Sequence, residues 1–121
     1  MILVDTSIWI DHLRAGDPEL AALLQNGHVM AHPWVIGELG LGHLSRRTEI
    51  LGLLSNIPQA QAATDVEVLA MIEDHSLFGR GIGYIDAHLL ASTLLTTGSG
   101  LWTRDRRLAA VAGRLGIAHP D

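Results

Sequence analysis

The chain has 121 residues, 48% of them hydrophobic, and a formal net charge of −5. All eight basic residues are arginine, and lysine and cysteine are both absent. A Walker A loop and Schiff-base chemistry are therefore excluded, since both need lysine, as are disulfides, thiolate metal sites and a cysteine nucleophile.

In chain order, residues 1–5 (MILVD) read as a short buried strand. Thr6 or Ser7 is positioned to cap a helix running to about Leu13, and Ala15-Gly16-Asp17-Pro18 breaks it. Asp17 caps and Pro18 opens a second helix, closed by Gly27. HVMAH (28–32) is a second strand, and Pro33 opens a third helix, PWVIGELGLGHL. A fourth helix runs from Arg46 to Leu54. Thr64 and Glu67 form a capping-box pattern for a fifth, 65–76. FGRGIG (78–83) is a loop, YIDAHLLASTLLT a sixth helix ended by Gly98, and GLWT (100–103) a third strand. Asp105 is placed to cap a last helix reaching about Leu115, and Gly116-Ile117-Ala118 forms a possible final strand. Short apolar strands separated by helices indicate a single α/β domain, 1–121, with a short parallel sheet between two helical layers.

The absence of cysteine fits the cytoplasm. Asp5 interrupts the apolar start and no basic residue precedes it, so no signal peptide is expected. No apolar run approaches the roughly 18 residues of a membrane span. The hydrophobic content is high for a small soluble domain and is compatible with an interface or simply with Ala- and Leu-rich helices. An acidic chain does not attract nucleic acid by bulk electrostatics, so a polyphosphate substrate requires a metal ion or a local arginine cluster.

In open α/β sheets ligands bind beyond the carboxyl ends of the strands. Asp5 stands there after the first strand, and Asp105 two residues past the third; each also reads as a helix cap. Helical spacing sets Glu38 among Trp34, Val35, Leu39 and Leu41 on one side of its helix. A carboxylate on such a face needs compensation. Asp86 has Leu89 and Leu90 as neighbours one turn on, with His88 and Ser92 on another side. If the four acids converge, charges about 4 Å apart repel by roughly 4 kcal/mol at an effective dielectric near 20. A divalent cation resolves this, and an all-oxygen set suits Mg²⁺ or Mn²⁺. Thr6, Ser7 and Thr103 are candidates for holding the carboxylates, or else are ordinary strand-end and cap hydroxyls. Arg104, Arg106 and Arg107 are candidates for orienting phosphates or for pairing with a partner's carboxylates, or are ordinary surface. His12, His88 and His119 are taken as surface groups by default, with contact to substrate or partner as the alternative, and Trp9, Trp34 and Trp102 as core or interface, with base stacking by one of them as the alternative. GRGIG (79–83) follows a helix, so it is read as a mobile loop beside Asp86 and not as a dinucleotide site.

D-T-S-x-W after the first strand, a Glu within an apolar helix, Y-I-D-A-H-L-L-A-S, and L-W-T-R-D after a strand together resemble the PIN-domain ribonucleases. The small size is similar to that of the VapC toxins of type II toxin–antitoxin systems. The resemblance covers essentially the whole chain and implies a three-layer α/β/α fold. It carries the family's metal-binding and catalytic acids onto Asp5, Glu38, Asp86 and Asp105. It implies Mg²⁺-dependent endoribonuclease activity, with Mn²⁺ as a substitute, on a structured RNA such as tRNA or rRNA through metal-activated water. Homodimers and inhibition by a VapB-type antitoxin are further implications. Many relatives carry another acid two residues after the position matching Asp105, often followed by an aromatic; here Arg107 and Leu108 stand there. One well-held ion is therefore expected. The alternative is a catalytically inactive PIN-like module that binds RNA or a partner. A haloacid-dehalogenase site would need an acid at Ser7, and a receiver domain would need a lysine.

Overall fold

The computed structural model describes residues 1–121. Ile2–Val4 forms strand β1, whose Leu3 and Val4 are fully buried. Helices α1 (Thr6–Ala15) and α2 (Pro18–Gln25) follow, then β2 (Val29–Met30), α3 (Pro33–Leu41) and α4 (Arg47–Asn56). Next come α5 (Asp65–Asp74), α6 (Tyr84–Leu95), β3 (Gly100–Trp102) and α7 (Arg106–Arg114).

The three strands form a parallel sheet in the order β2-β1-β3, with Leu3 opposite Met30 on one side and Leu101 on the other. With the helices it makes the three-layer α/β/α architecture expected from the alternation of short apolar strands and helices. The strand order reverses at β1: the chain goes first to one side and later returns to the other. The switch point lies at the carboxyl ends of β1 and β3, where a crevice opens in folds of this kind. Asp5 and Thr103 follow those strands directly, and Asp5 N–H donates to the Trp102 carbonyl at 2.9 Å.

A contiguous core of 24 buried hydrophobic residues runs through the molecule. Leu3, Leu101, Trp102, Leu89 and Leu90 have no more than 1% exposure, and burial of each such side chain contributes about 1.5–3 kcal/mol. Helix α6 is buried on every side from Ala87 to Thr93. Within this stretch Thr93 returns its hydroxyl to the Leu89 carbonyl at 2.8 Å, so its polar group costs little. No helix is long and apolar enough to cross a membrane.

The boundaries differ from the sequence reading at several points; the second strand, for one, is Val29–Met30 only, and the fourth helix runs on to Asn56. Asp5 itself, and neither Thr6 nor Ser7, caps α1 by accepting from Thr6 N–H at 2.7 Å. Helix α3 ends at Leu41, because Gly42 leaves the helical region, and α4 begins only at Arg47 after a left-handed Arg46. Residues 116–118 form no strand; the sheet gains only one bridge there, between Leu101 and Ala118. The remaining caps stand as read: Asp17 on α2, the Thr64–Glu67 box on α5 and Asp105 on α7.

Candidate functional site

Asp5 is the only buried carboxylate, at 7% exposure. Burying it is tolerable because donors surround it. Its Oδ1 takes Thr6 N–H, while its Oδ2 accepts from Thr103 Oγ1 at 2.6 Å and from Ser7 Oγ at 3.1 Å. The two hydroxyls are themselves fixed: Asp105 N–H donates to Thr103 at 3.0 Å and Arg104 N–H to Ser7 at 3.1 Å. The turn after β3 is thus laced to the turn after β1.

Glu38 lies on α3, and its Oε1 accepts from Thr6 Oγ1 at 2.8 Å. Asp86 sits in the first turn of α6, where its Oδ2 accepts from Gly83 N–H at 3.1 Å and the helix dipole favours negative charge. Asp105 caps α7 through one oxygen, which accepts from Arg107 N–H and Leu108 N–H, both at 3.0 Å. Glu38, Asp86 and Asp105 are therefore each held by one oxygen and keep the other unpartnered. The three hydroxyl groups singled out in the sequence all bond to candidate carboxylates.

Asp5, Glu38 and Asp105 are each within electrostatic reach of Asp86. Burial raises the Asp86 carboxyl above its ordinary range, and the negative charges of Asp5, Asp105 and Glu38 raise it further against the Gly83 hydrogen bond. None of the four forms an ion pair with an arginine or histidine. They are neighbours without being a cage: no three acids or histidines stand close enough to hold one ion between them.

Some expectations require correction. Glu38 is exposed, as are Trp34 and Leu41, and only Val35 and Leu39 of that presumed face are buried. Helix α3 is apolar nearly all round, so spacing alone does not select its inner side. Arg104 is not free for phosphate. Its guanidinium bonds Asp11 at 2.7 Å, Asp17 at 2.6 Å and Asp121 at 3.1 Å, and it lies 5.7 Å from the Trp102 ring. Those carboxylates push its pKa up, and Arg104 in turn holds the Asp17 carboxyl low. His88 is buried, not a surface group; it packs between Trp34 and Tyr84, with Asp65 at 3.2 Å. Trp9 and Trp102 are core residues, whereas Trp34 is 45% exposed.

The sequence reading missed His32. It is fully buried; its Nδ1 caps α3 by accepting from Trp34 N–H at 3.1 Å. That places the ring proton on Nε2, which donates to Ser92 Oγ on α6 at 3.0 Å. The bond joins the helix carrying Glu38 to the helix carrying Asp86. A histidine directly before a helix-opening proline was the available signal.

Comparison with known proteins agrees with this architecture. The family model described as PIN domain matches residues 2–114. Two curated relatives, each named Ribonuclease VapC32, come from Mycobacterium tuberculosis strains CDC 1551 / Oshkosh and ATCC 25618 / H37Rv. Each is 48% identical over 118 residues, which cover 98% of this chain and 95% of the relative.

Proposed function

The chain belongs to the PIN-domain family and to its VapC type, and from that membership we propose that it is the endoribonuclease toxin of a VapBC-type toxin–antitoxin pair. The observation that carries the reading is the group of four carboxylates at the sheet's switch point, three of which press their charge on Asp86 and none of which is matched by a protein cation. An oxygen-only donor set of this kind fits a hard divalent cation, Mg²⁺ or Mn²⁺. Asp5, Glu38, Asp86 and Asp105 would hold it. Glu38 and Asp105 are exposed and tied through one oxygen each, so each has a free oxygen to turn towards an ion. When bound, the cation supplies a hydroxide-like nucleophile and charge stabilisation at a phosphodiester.

The chain's own residues prepare that site. Thr103 and Ser7 fix the Asp5 carboxylate, and Thr6 aims Glu38. Asp86, raised by burial and then by its acidic neighbours, is the acid most relieved by a cation. A single ion suits the chain, since Arg107 stands where a further acid would serve a second one. The substrate under this reading is a structured RNA, tRNA or rRNA.

Two surfaces support the partners. Beside Glu38 runs an apolar groove of about 510 Å³, with Ile10, Leu13, Leu39 and Ile50 along it and Arg14 and Arg46 among its residues. It suits an antitoxin segment with apolar and acidic side chains. Exposed Trp34 and Tyr84 around His88 offer a second apolar surface for a homodimer.

The test is incubation of the antitoxin-free protein with total RNA in Mg²⁺, Mn²⁺ or EDTA, beside an Asp86→Asn variant prepared identically. Discrete metal-dependent fragments from the unaltered protein alone are expected. Equal behaviour of the two proteins, with Mn²⁺ binding confirmed, would leave a binding module and overturn the nuclease.

A further inference from the structure

Six of the eight arginines have a protein partner for the guanidinium. Arg14, Arg46 and Arg104 meet carboxylates, while Arg47, Arg80 and Arg114 donate to backbone carbonyls. Arg106 and Arg107 have neither. Both are exposed, and they follow Asp105 directly. An unpaired guanidinium beside a group of repelling carboxylates is a placement that needs a reason.

The two differ in one respect. The Arg107 side chain lies across the backbone of Gly81, so close that a Cβ there would stand 2.8 Å from both Cδ and Nη1 and 3.1 Å from Cζ. Gly81 has φ +78°, in the left-handed region, so the backbone there favours glycine, and a Cβ would displace the Arg107 side chain. Two residues on, Gly83 N–H bonds Asp86. Arg107 therefore bridges from the turn capped by Asp105 to the loop that leads into Asp86. Its Cδ, Cζ and Nη1 lie over Gly81 while its five donors remain unused.

We propose that Arg107 is a substrate-binding residue of the RNA groove, its guanidinium taking a phosphodiester neighbouring the one placed at the four acids, with Gly81 as the shelf that fixes it. This rests on the ribonuclease reading. A chain of charge −5 must offset the repulsion between its carboxylates and an RNA backbone locally. A planar guanidinium held in place and paired with nothing else does so, and it grips phosphate through two parallel hydrogen bonds. The residue that stands in place of a further acid then has a use of its own at the same edge.

The experiment measures binding of fluorescein-labelled total transfer RNA by anisotropy, in Mg²⁺ and over a range of salt, with Asp86→Asn as the uncut background. In that background Arg107→Ala is expected to weaken binding about tenfold and to make the slope of log K against log salt shallower by about one. Arg107→Lys should restore the slope but only part of the affinity. Gly81→Ala keeps the charge yet displaces it, and should weaken binding as Arg107→Ala does. Arg106→Ala, the same charge change on a side chain without a shelf, should cost less than threefold. Mn²⁺ affinity and melting temperature should hold across the Arg107 variants. Arg107→Ala binding with the parent's affinity and slope would overturn the assignment alone and leave Arg107 a strut for the loop. A parent that binds Mn²⁺ but no RNA would overturn the ribonuclease reading and this assignment with it.

Discussion

Acidification should destabilise the protein through His32, and Asn at that position should remove the effect. The ring is fully buried and serves Trp34 N–H and Ser92 Oγ only as the neutral tautomer. Burial, and then the neighbouring charge of His88, lower its pKa from 6.5 to about 4. The unfolded chain therefore takes up the proton more readily than the folded one. The stabilisation is complete above pH 6.5 and is lost as pH falls from there through about 4. Those two values give a loss of about 2 kcal/mol by pH 5 and about 3 kcal/mol by pH 4. Asp86 acts in the opposite sense at the acid end, because its carboxyl is raised and protonation there relieves repulsion. A variant comparison separates the two. His32→Asn keeps an acceptor for the α3 cap and removes the titrating ring, so its stability at pH 8 is lower but its decline from pH 8 to pH 5 should be smaller by about 2 kcal/mol. Urea denaturation at the two pH values reads this directly. Parallel declines in both proteins would refute the account.

Asp86→Asn should lose metal-dependent cleavage yet, in EDTA at pH 7, be at least as stable as the unaltered protein, since it removes a carboxylate disfavoured by burial and by its acidic neighbours; calorimetry decides. Thr103→Val removes the hydroxyl between Asp5 and Asp105 N–H, and should cost about 1–3 kcal/mol in urea melts. It should also move the Mn²⁺ titration midpoint upward, with Thr103→Ser restoring both. Arg104→Gln leaves Asp11, Asp17 and Asp121 without their common partner; a loss of about 1–3 kcal/mol is expected, with Mn²⁺ affinity unchanged.

Local chemistry made much of this fold readable. Asp17-Pro18, Thr64 with Glu67, and Asp105 announce helix starts whose side chains do bond the expected amides. The four acids stood out for a related reason: a carboxylate directly after an apolar strand, or one turn from leucines on a helix, is locally anomalous. What remained hidden depends on contacts far apart in the chain. Arg104 reads as one of three equivalent arginines until the fold brings Asp11, Asp17 and Asp121 to it. His88 reads as polar surface because no periodicity shows that α6 is enclosed on all sides. On α3 the choice of Glu38's side failed for want of contrast, since a helix apolar all round offers no phase to measure.

The hydrogen bond from Thr103 to Asp5 joins residues 98 positions apart, and β1 depends on β3 for its second neighbour. On a ribosome the central strand thus waits until residues 100–102 have been made before its other edge is filled. Asp5 leaves the exit tunnel long before the hydroxyl that orients it exists. Pairings at such separation are also slow to close. A nascent or prematurely ended chain carries the first three carboxylates but not the turn that sets them. The site is thus incomplete until the chain has been made past Thr103.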